Sequence, residues 1–394
     1  MFILLIAVIT YTLATFGAVL PSDWFLLVII WSLGIAGWLL FQVFRGRSWH
    51  VLFVVLLFLV AAMLWVRQPL WFTGIVAGIW ACYATTRSSE QGVVRFLKVL
   101  LAIGLFEALL GLAQFFVMPG WTFGYTNPVS RSSGTLINRN HFAGLMEMFI
   151  PVALGLAYIS ARRYGGLARA YIYLLAGTLM SLALLFSLSR MGILSFLFTL
   201  CFLGILQWRR SQRRLAAGLA FGMGALVAAG ALWIGVDSIV QRYSELMIDD
   251  ALFRDSRVMI SRDVTRMIMA NPLGVGLSNF QDRFRQYQTF RPDLLFDHAH
   301  NDYLETAAEW GLPLAMVYWS FIVFAAIRAI RLFDSVRSPE QRGILLACIG
   351  AILAILIHSL TDFNLQIPSN ATLFFTFVGI SLAMPLPESM HRFE

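Results

Sequence analysis

Lysine is almost absent from this chain of 394 residues: Lys98 is the only one, and arginine supplies every other basic side chain apart from histidine. Genomic base composition is the simpler explanation of this bias. The alternative is a preference for forked, always charged phosphate binders. Cysteine is also scarce, because Cys82, Cys201 and Cys348 are the only three and all lie in apolar runs. The sequence therefore predicts neither a disulfide nor a thiolate site.

Nucleotide-binding and metal-binding patterns are missing as well. The chain has no Walker sequence of the form G-x-x-x-x-G-K-[ST], which argues against an ATP-driven machine. His298 and His300 stand one residue apart beside loosely spaced carboxylates, and this is not a zinc pattern. We therefore predict no metal and no cofactor.

Apolar residues make up 59% of the chain, and its mean hydropathy is +0.76. A soluble domain has an apolar share of roughly 45–50%. Runs long enough to cross about 30 Å of hydrocarbon recur, and they predict helices because isolated strands would leave backbone groups unpaired in lipid. The predicted fold class is an all-α integral membrane protein with about twelve transmembrane helices, over residues 1–20, 24–44, 50–66, 70–85, 95–118, 140–160, 170–189, 191–207, 214–236, 312–333, 343–360 and 366–387.

The net charge is +8, and the positive charges are distributed according to the predicted membrane topology. Arginines crowd the loops that are inner if the N-terminus is cytoplasmic, whereas the short outer connections hold only Arg67, Arg131, Arg139 and Arg190. This is the positive-inside bias, and it predicts that both termini are cytoplasmic. We therefore attribute the basic balance to membrane orientation rather than to nucleic-acid binding.

One long polar segment interrupts the apolar runs. It lies between spans 9 and 10 and is predicted to form a large helical loop on the outer face. Because the inner loops are short and arginine-rich, we expect any reaction to occur outside, where the energy must arrive with the substrate. The predicted division of the chain is residues 1–236 with nine transmembrane helices, residues 237–311 as the outer loop expected to carry any reaction, and residues 312–394 with three transmembrane helices and a short cytoplasmic tail.

Within this loop, residues 256–270 have the pattern of an amphipathic helix. At 100° per residue four apolar side chains lie within about 80° of Arg257, namely Ile260, Val264, Met267 and Ile268. Arg262 and Arg266 lie about 140° and 180° away. Arg257 is therefore predicted on the packing face, where an unpaired charge is costly unless an anion meets it. The alternative is a structural ion pair with one of two aspartates, Asp255 and Asp297.

Residues 297–314 carry a dense cluster of ionisable groups that leads into a membrane helix. Asp302 and Glu305 have the spacing of a capping box for a helix that runs to Trp310. His300 lies just before this helix, where unpaired N–H groups favour anions. A histidine with an ordinary pKa of about 6.5 can act as a base near neutral pH, although a histidine in a capping region is more often structural.

Other polar residues lie in or beside the predicted spans. Arg190 stands between two spans at the outer surface, where ordinary snorkelling is the alternative to a functional role. Asn140 and Glu147 lie one heptad apart on one face of the sixth span. An intramembrane carboxylate indicates function by default, although packing against a polar neighbour would also satisfy it. Helix-end polarity explains His358 and Asp362 at the end of the eleventh span.

Three of these elements occur in a known order. The run Thr135–Ala143, of sequence TLINRNHFA, is like an Asn-rich entry to a membrane helix, and Ser189–Gly192 is like a Ser-Arg-Gly turn. Pro272 follows Arg257 by fifteen residues. Together they resemble the superfamily of O-antigen ligases and Wzy-type polysaccharide polymerases, over roughly residues 130–370. One departure is Ser261, where the family usually has tryptophan.

The ligase signature of this superfamily is His, then Asn, Ser or Gln, nine spacers, Gly, two residues, and Gly, Thr or Tyr. His300, Asn301 and Gly311 fit this signature, but Leu314 occupies the last position. The departure weakens the ligase assignment and favours a polymerase.

The resemblance implies a bacterial inner-membrane glycosyltransferase that acts on the periplasmic side. Arg190 and Arg257 would hold the diphosphate of the donor, and His300 would take the proton from the acceptor hydroxyl, with inversion in one step. The implied partners are an undecaprenyl-diphosphate-linked glycan donor, lipid A-core or a growing glycan as acceptor, and membrane lipids, without nucleic acid. Further residues are predicted to bind substrate, namely Asn301, Asn140, Arg139, Glu147 and His298.

Other functions remain open. A protein hydroxyl is a third choice of acceptor for the transferase. A transporter or flippase of polysaccharide or lipid-linked oligosaccharide, with an outer gating loop, is the alternative from another class. A non-catalytic assembly protein is a third class.

Overall fold

The computed structural model describes residues 2–44, 69–119, 121–122, 125–126, 131–163, 167–208, 256–291 and 293–385. Two predicted spans, residues 50–66 and 214–236, lie outside these ranges. The helices within them are α1 (Ile3–Ala14), α2 (Pro21–Phe44), α3 (Pro69–Thr86), α4 (Glu90–Phe116), α5 (Arg139–Arg163), α6 (Leu167–Phe186), α7 (Arg190–Trp208), α8 (256–270), α9 (Phe280–Phe284), α10 (Asp302–Trp310), α11 (Leu312–Ser335), α12 (Pro339–His358) and α13 (Pro368–Ala383).

Ten of the twelve predicted apolar runs coincide with helices in the described parts of the chain. Six of these helices are long and apolar enough to cross a membrane, namely α4, α5, α6, α7, α11 and α12. The prediction of a helical integral membrane protein is thus confirmed, and the count of twelve spans stays a prediction. A single antiparallel pair of two-residue strands, β1 (Trp121–Thr122) and β2 (Tyr125–Thr126), is the only β-structure among the described residues.

The first helix is shorter than its apolar run predicts. Helix α1 has 12 residues, so at 1.5 Å per residue it is about 18 Å long, well short of about 30 Å of hydrocarbon. It ends where Phe16, Gly17 and Ala18 all adopt positive φ angles. This left-handed turn stops the helix although the sequence remains apolar.

Helix α5 is the central element of the bundle. The whole of its apolar window is buried, and it packs against α6 on one side and α12 on another. Glycines permit the close approach to α12: a Cβ on Gly155 would lie 2.3 Å from the carbonyl oxygen of Gly343. Small residues of this kind let membrane helices come into backbone contact.

Helix α8 confirms the amphipathic pattern that the sequence predicts. Ile260, Val264 and Met267 of the predicted packing face are buried, whereas Arg262 and Arg266 are exposed. The Arg257 side chain lies at the edge of the packing face and is 38% exposed. Periodicity was sufficient here because one face of the helix packs and the other does not.

The N-cap of α10 differs from the prediction. The cap residue is Asn301, whose Oδ1 accepts a hydrogen bond from the Leu304 N–H at 3.0 Å, so the predicted capping box that begins at Asp302 is wrong. Asp302 is instead buried and accepts hydrogen bonds from the Ser359 hydroxyl at 2.7 Å and the Leu365 N–H at 3.2 Å. The carboxylate thus joins α10 to the connection that follows α12.

Gly311 joins α10 to α11 at a point of close backbone contact. Its φ is +82°, and an added Cβ would lie 2.4 Å from the carbonyl carbon of Leu273. The adjoining Leu312 N–H donates to the Pro272 carbonyl at 2.9 Å. This position of the ligase signature therefore has a structural requirement for glycine.

We expect Gly311→Ala to lower the free energy of unfolding by about 2 kcal/mol or more, because the backbone conformation is strained for alanine and the Cβ meets fixed backbone. Thermal unfolding in detergent measures this effect. Gly204→Ala is the matched control, because a Cβ on this glycine of α7 meets nothing within 4 Å. Equal melting temperatures for the two variants would contradict the assignment.

Candidate active site

A cleft of about 420 Å³ opens where several helix ends meet. It is lined by the first residues of α5 and α7, by α8, by His300 and by the connection after α12. Nine of the thirteen lining residues are polar or charged, and four are apolar. The lining residues are Arg139, Asn140, Ser189, Arg190, Met191, Leu194, Arg257, Val258, Ser261, His300, Leu360, Thr361 and Asp362.

Three arginines from three separate helices meet at this cleft. Arg139 begins α5, Arg190 begins α7 and Arg257 lies in α8. The starts of α5 and α7 also direct the positive ends of two helix dipoles toward the same region. Forked guanidinium groups and helix N-termini both suit the oxygens of a phosphate or diphosphate. The cleft is therefore chemically suited to an anion with several oxygens.

His300 is held at the cleft by a strained and well-anchored backbone. Its φ is +50°, in the left-handed region that histidine adopts infrequently. Such strain persists only where the surrounding structure imposes it, and it occurs often at functional sites. The anchors are three successive bonds to the end of α12, from Asn301 Nδ2 to the Leu360 carbonyl at 2.8 Å, from the Asp302 N–H to the Ser359 carbonyl at 3.0 Å, and from the Tyr303 hydroxyl to the Leu356 carbonyl at 2.7 Å.

Asp362 is the residue at the centre of this geometry, although its position in the sequence indicated only helix-end polarity. The buried carboxylate lies 3.8 Å from Arg257 Nη2, 4.0 Å from His300 Nδ1 and 3.7 Å from His141 Nε2. Burial alone would raise the pKa of Asp362, but His141, His358, Arg257 and His300 together hold it below its ordinary value. Helix-end polarity is therefore an insufficient explanation of this aspartate.

The ion pair found for Arg257 differs from both candidates raised from the sequence. Among the described residues its partner is Asp362, and the candidate Asp255 lies outside them. At 3.8 Å the contact is an ion pair without a hydrogen bond. With more than a third of its side chain exposed at the cleft, Arg257 is placed to contact both Asp362 and a bound anion.

The environment of His300 favours the neutral imidazole. Burial is the largest cause and lowers its pKa from 6.5, and the positive charge of Arg257 acts in the same direction. The carboxylate of Asp362 opposes them without reversing the shift. Because the ring is then neutral at pH 7, one of its nitrogens can accept a proton.

The predicted substrate-binding residues divide into two groups. Arg139 and Asn140 line the cleft, and Asn301, Glu147 and His298 are not among its lining residues. The Asn301 amide caps α10 and binds Leu360, as described above. Glu147 is buried, accepts a hydrogen bond from the Ser195 hydroxyl at 2.8 Å and lies 2.9 Å from His358 Nδ1. Packing against polar neighbours thus accounts for Glu147, which is the alternative that the sequence left open.

His298 does not line the cleft, but its contacts hold the segment that leads to His300. Its Nδ1 lies 2.7 Å from Glu305 Oε1, and its ring stacks on Phe363 with the centroids 4.1 Å apart. Burial opposes protonation, but the charge and hydrogen bond of Glu305 raise the pKa of His298 to about 9. His298 is therefore an imidazolium at neutral pH, and it fixes the loop that precedes His300.

The ion pair between His298 and Glu305 predicts that the stability of the protein depends on pH. A pKa raised from 6.5 to about 9 contributes stability that is fully present below pH 6.5 and is lost as pH rises through about 9. We expect the melting temperature of the purified protein to fall over this window, and His298→Gln to melt lower with a flatter dependence. Thermal unfolding at a series of pH values measures both. The same slope in His298→Gln and in the wild-type protein would contradict this role.

Comparison with known families bears on the same elements. Residues 175–319 match the family model described as O-antigen ligase. The resemblance to the O-antigen ligase superfamily is confirmed. The matched stretch includes Arg190, Arg257 and His300, whereas Arg139 and Asp362 lie outside it. No curated protein sequence gives a significant match to the chain.

The O-antigen ligase match supports a transferase function of the ligase or polymerase type in general. Together with the apolar helices, it indicates a membrane protein whose substrates are lipid-linked glycans and polysaccharides as a class. The signature position Leu314 is 59% exposed in the first turn of α11, and it is not among the lining residues of the cleft.

Proposed function

We propose that this protein is a glycosyltransferase that moves a glycan from undecaprenyl diphosphate to a hydroxyl acceptor. The observation that carries this proposal is the convergence of Arg190, Arg257 and His300 on one cleft, with Asp362 behind them. The acceptor is the end of a growing glycan, lipid A-core or another hydroxyl. The reaction takes place at the periplasmic face of a bacterial inner membrane, in the loop of residues 237–311 and the adjoining helix ends.

The arginines act on the donor. Arg190 and Arg257, with Arg139 beside them, contact the diphosphate oxygens, and their forked N–H groups match those oxygens in pairs. The bond between the anomeric carbon and the diphosphate oxygen breaks, and the electron pair leaves with undecaprenyl diphosphate. The guanidinium groups stabilise the negative charge that develops on this leaving group. Since a prenyl diphosphate leaves readily, the step requires neither a metal ion nor a nucleotide.

His300 acts on the acceptor. Its neutral ring takes the proton from the acceptor hydroxyl while the oxygen forms a bond to the anomeric carbon. Attack from the side opposite to the diphosphate gives inversion in one step. With Nδ1 facing Asp362, the opposite ring nitrogen Nε2 is the one that receives the proton. Asp362 is a positioning residue, because its carboxylate orients the ring and stabilises the imidazolium.

We expect Asp362→Asn to slow transfer by about tenfold or more, because a misplaced base loses part of the roughly 10²–10⁴-fold that a general base supplies. The substitution also removes a carboxylate that raises the pKa of His300, so this pKa falls further. The acidic limb of the pH–rate profile should therefore move to lower pH. Asp293→Asn is the control, since its exposed carboxylate pairs with Arg291. A slower rate with an unmoved limb would contradict the positioning role.

The acceptor class is tested with purified protein in lipid. Undecaprenyl diphosphate carrying a cognate repeat unit is supplied with or without lipid A-core, and the products are separated by size. A ladder of longer prenyl-linked glycans identifies a polymerase, and product formed only with lipid A-core identifies a ligase. A protein that offers hydroxyl acceptors is the third arm of the assay. Absence of product in all three arms, with a verified cognate donor, contradicts the transferase proposal.

A further inference from the structure

A second cavity, which we call the basic cavity, lies at the end of the bundle opposite to the cleft. It has a volume of about 360 Å³ and opens between the start of α4, the end of α5, and the starts of α6 and α12. Helix α5 connects the two sites, because Arg139 lies at the cleft and Arg163 lies at the cavity. Its 25 residues correspond to about 37 Å, which is enough to separate the two faces of a membrane.

The lining of the basic cavity is strongly positive. Arg95, Lys98, Arg163 and Arg169 line it against one carboxylate, Glu340, for a net charge of +3. Arg163 of α5 forms an ion pair with Glu340 of α12. The single lysine of the chain is therefore one of a group of cations brought together from three helices. Genomic composition does not explain this convergence, because it sets the type of cation and not its place.

Part of the wall of the basic cavity is apolar. Val94 of α4 adjoins Arg95 in the sequence, and Leu156 and Ile159 of α5 precede Arg163 by one to two turns, nearer the middle of that helix. Arg95 and Lys98 are three residues apart and so share one face of α4. Lys98 comes eight residues after the start of a 27-residue helix about 40 Å long, which is some 10 Å more than the hydrocarbon thickness. Its stem can thus lie against apolar surface while its ammonium reaches the headgroup region.

We propose that the basic cavity binds the phosphate diester headgroup of an anionic phospholipid, with the acyl chains against its apolar wall. A free phosphate ion shares the headgroup chemistry but has no acyl chain to contact the apolar wall. Basic pockets between transmembrane helices on the cytoplasmic side suit such headgroups, and the positive-inside bias predicts the cytoplasmic side for this end of the bundle. The site is independent of the transfer reaction, so its test measures binding alone.

Native mass spectrometry of the detergent-purified full chain tests this proposal. The probes are phosphatidylglycerol, phosphatidylcholine as a neutral lipid of the same chain length, and inorganic phosphate as a competitor. We expect phosphatidylglycerol to bind at least about tenfold more weakly to the double variant Arg95→Gln with Lys98→Gln. The charge-preserving double variant Arg95→Lys with Lys98→Arg should bind within about twofold of wild type, which separates loss of charge from loss of fold.

A control of equal charge uses Arg331→Gln with Arg337→Gln, two exposed arginines near the same end of the bundle that do not line the basic cavity. We expect this variant to bind phosphatidylglycerol within about twofold of wild type. An equal loss in both neutralising variants would overturn the proposal in favour of general surface charge. Equal binding of phosphatidylcholine, or displacement of the lipid by inorganic phosphate at similar concentration, would overturn the headgroup assignment.

Discussion

Replacing Arg257 with alanine is expected to slow glycan transfer by about 10²–10³-fold, whereas Arg262→Ala and Arg266→Ala should each change it by less than about threefold. All three arginines lie on α8, but only Arg257 lines the cleft and contacts Asp362. Arg262 and Arg266 are exposed and are not among the lining residues of the cleft. Transfer by purified variants with a lipid-linked donor measures the difference.

The two exposed arginines are internal controls for net charge and for helix propensity. Arg257→Lys keeps the charge but loses the planar fork, so it should recover little of the rate if the diphosphate is bound in a bidentate manner. Donor binding, measured separately, should weaken in Arg257→Ala and remain unchanged in the other two alanine variants. Equal losses of transfer in all three, with folding intact, would refute the assignment of the packing face.

Replacing His300 with alanine is the second large change. We expect transfer to fall by about 10²–10⁴-fold while donor binding changes little, because the base acts on the acceptor hydroxyl. The wild-type rate should decline only below pH 6.5, since burial lowers the pKa of His300 and only the imidazolium is inactive. The pH–rate profile of the residual activity of the variant should lack this decline at low pH. A limb that persists unchanged would mean that another group supplies the base.

The periodic elements could be predicted from sequence. Helix α8 and the orientation of Arg257 followed from apolar spacing, because burial of one helix face repeats every turn. The boundary of α10 was misplaced by one residue, since Asn301 and Asp302 are both good N-cap residues and spacing alone does not choose between them. Local pattern thus gave the correct element with an incorrect cap.

The contacts that complete the site could not be predicted in this way. Asp362 follows α12 and meets Arg257 and His300 only in the folded bundle, so no local spacing marks it. The polar group of Glu147, Ser195 and His358 comes from three helices for the same reason. The sequence indicated only that Asp362 lies on the same predicted outer face as the other polar residues. This common face does not indicate which residues contact Asp362.

A reconstituted single-turnover assay tests the central claim most directly, with wild-type protein and His300→Ala in the same lipid and donor binding and lipid translocation measured alongside. We predict transfer of the glycan by the wild-type protein, a loss of about 10²–10⁴-fold in the variant, and donor binding within about twofold in both. Transfer at equal rates by the two proteins would contradict the proposed chemistry of the cleft. Translocation without transfer that slows in His300→Ala would instead identify a flippase.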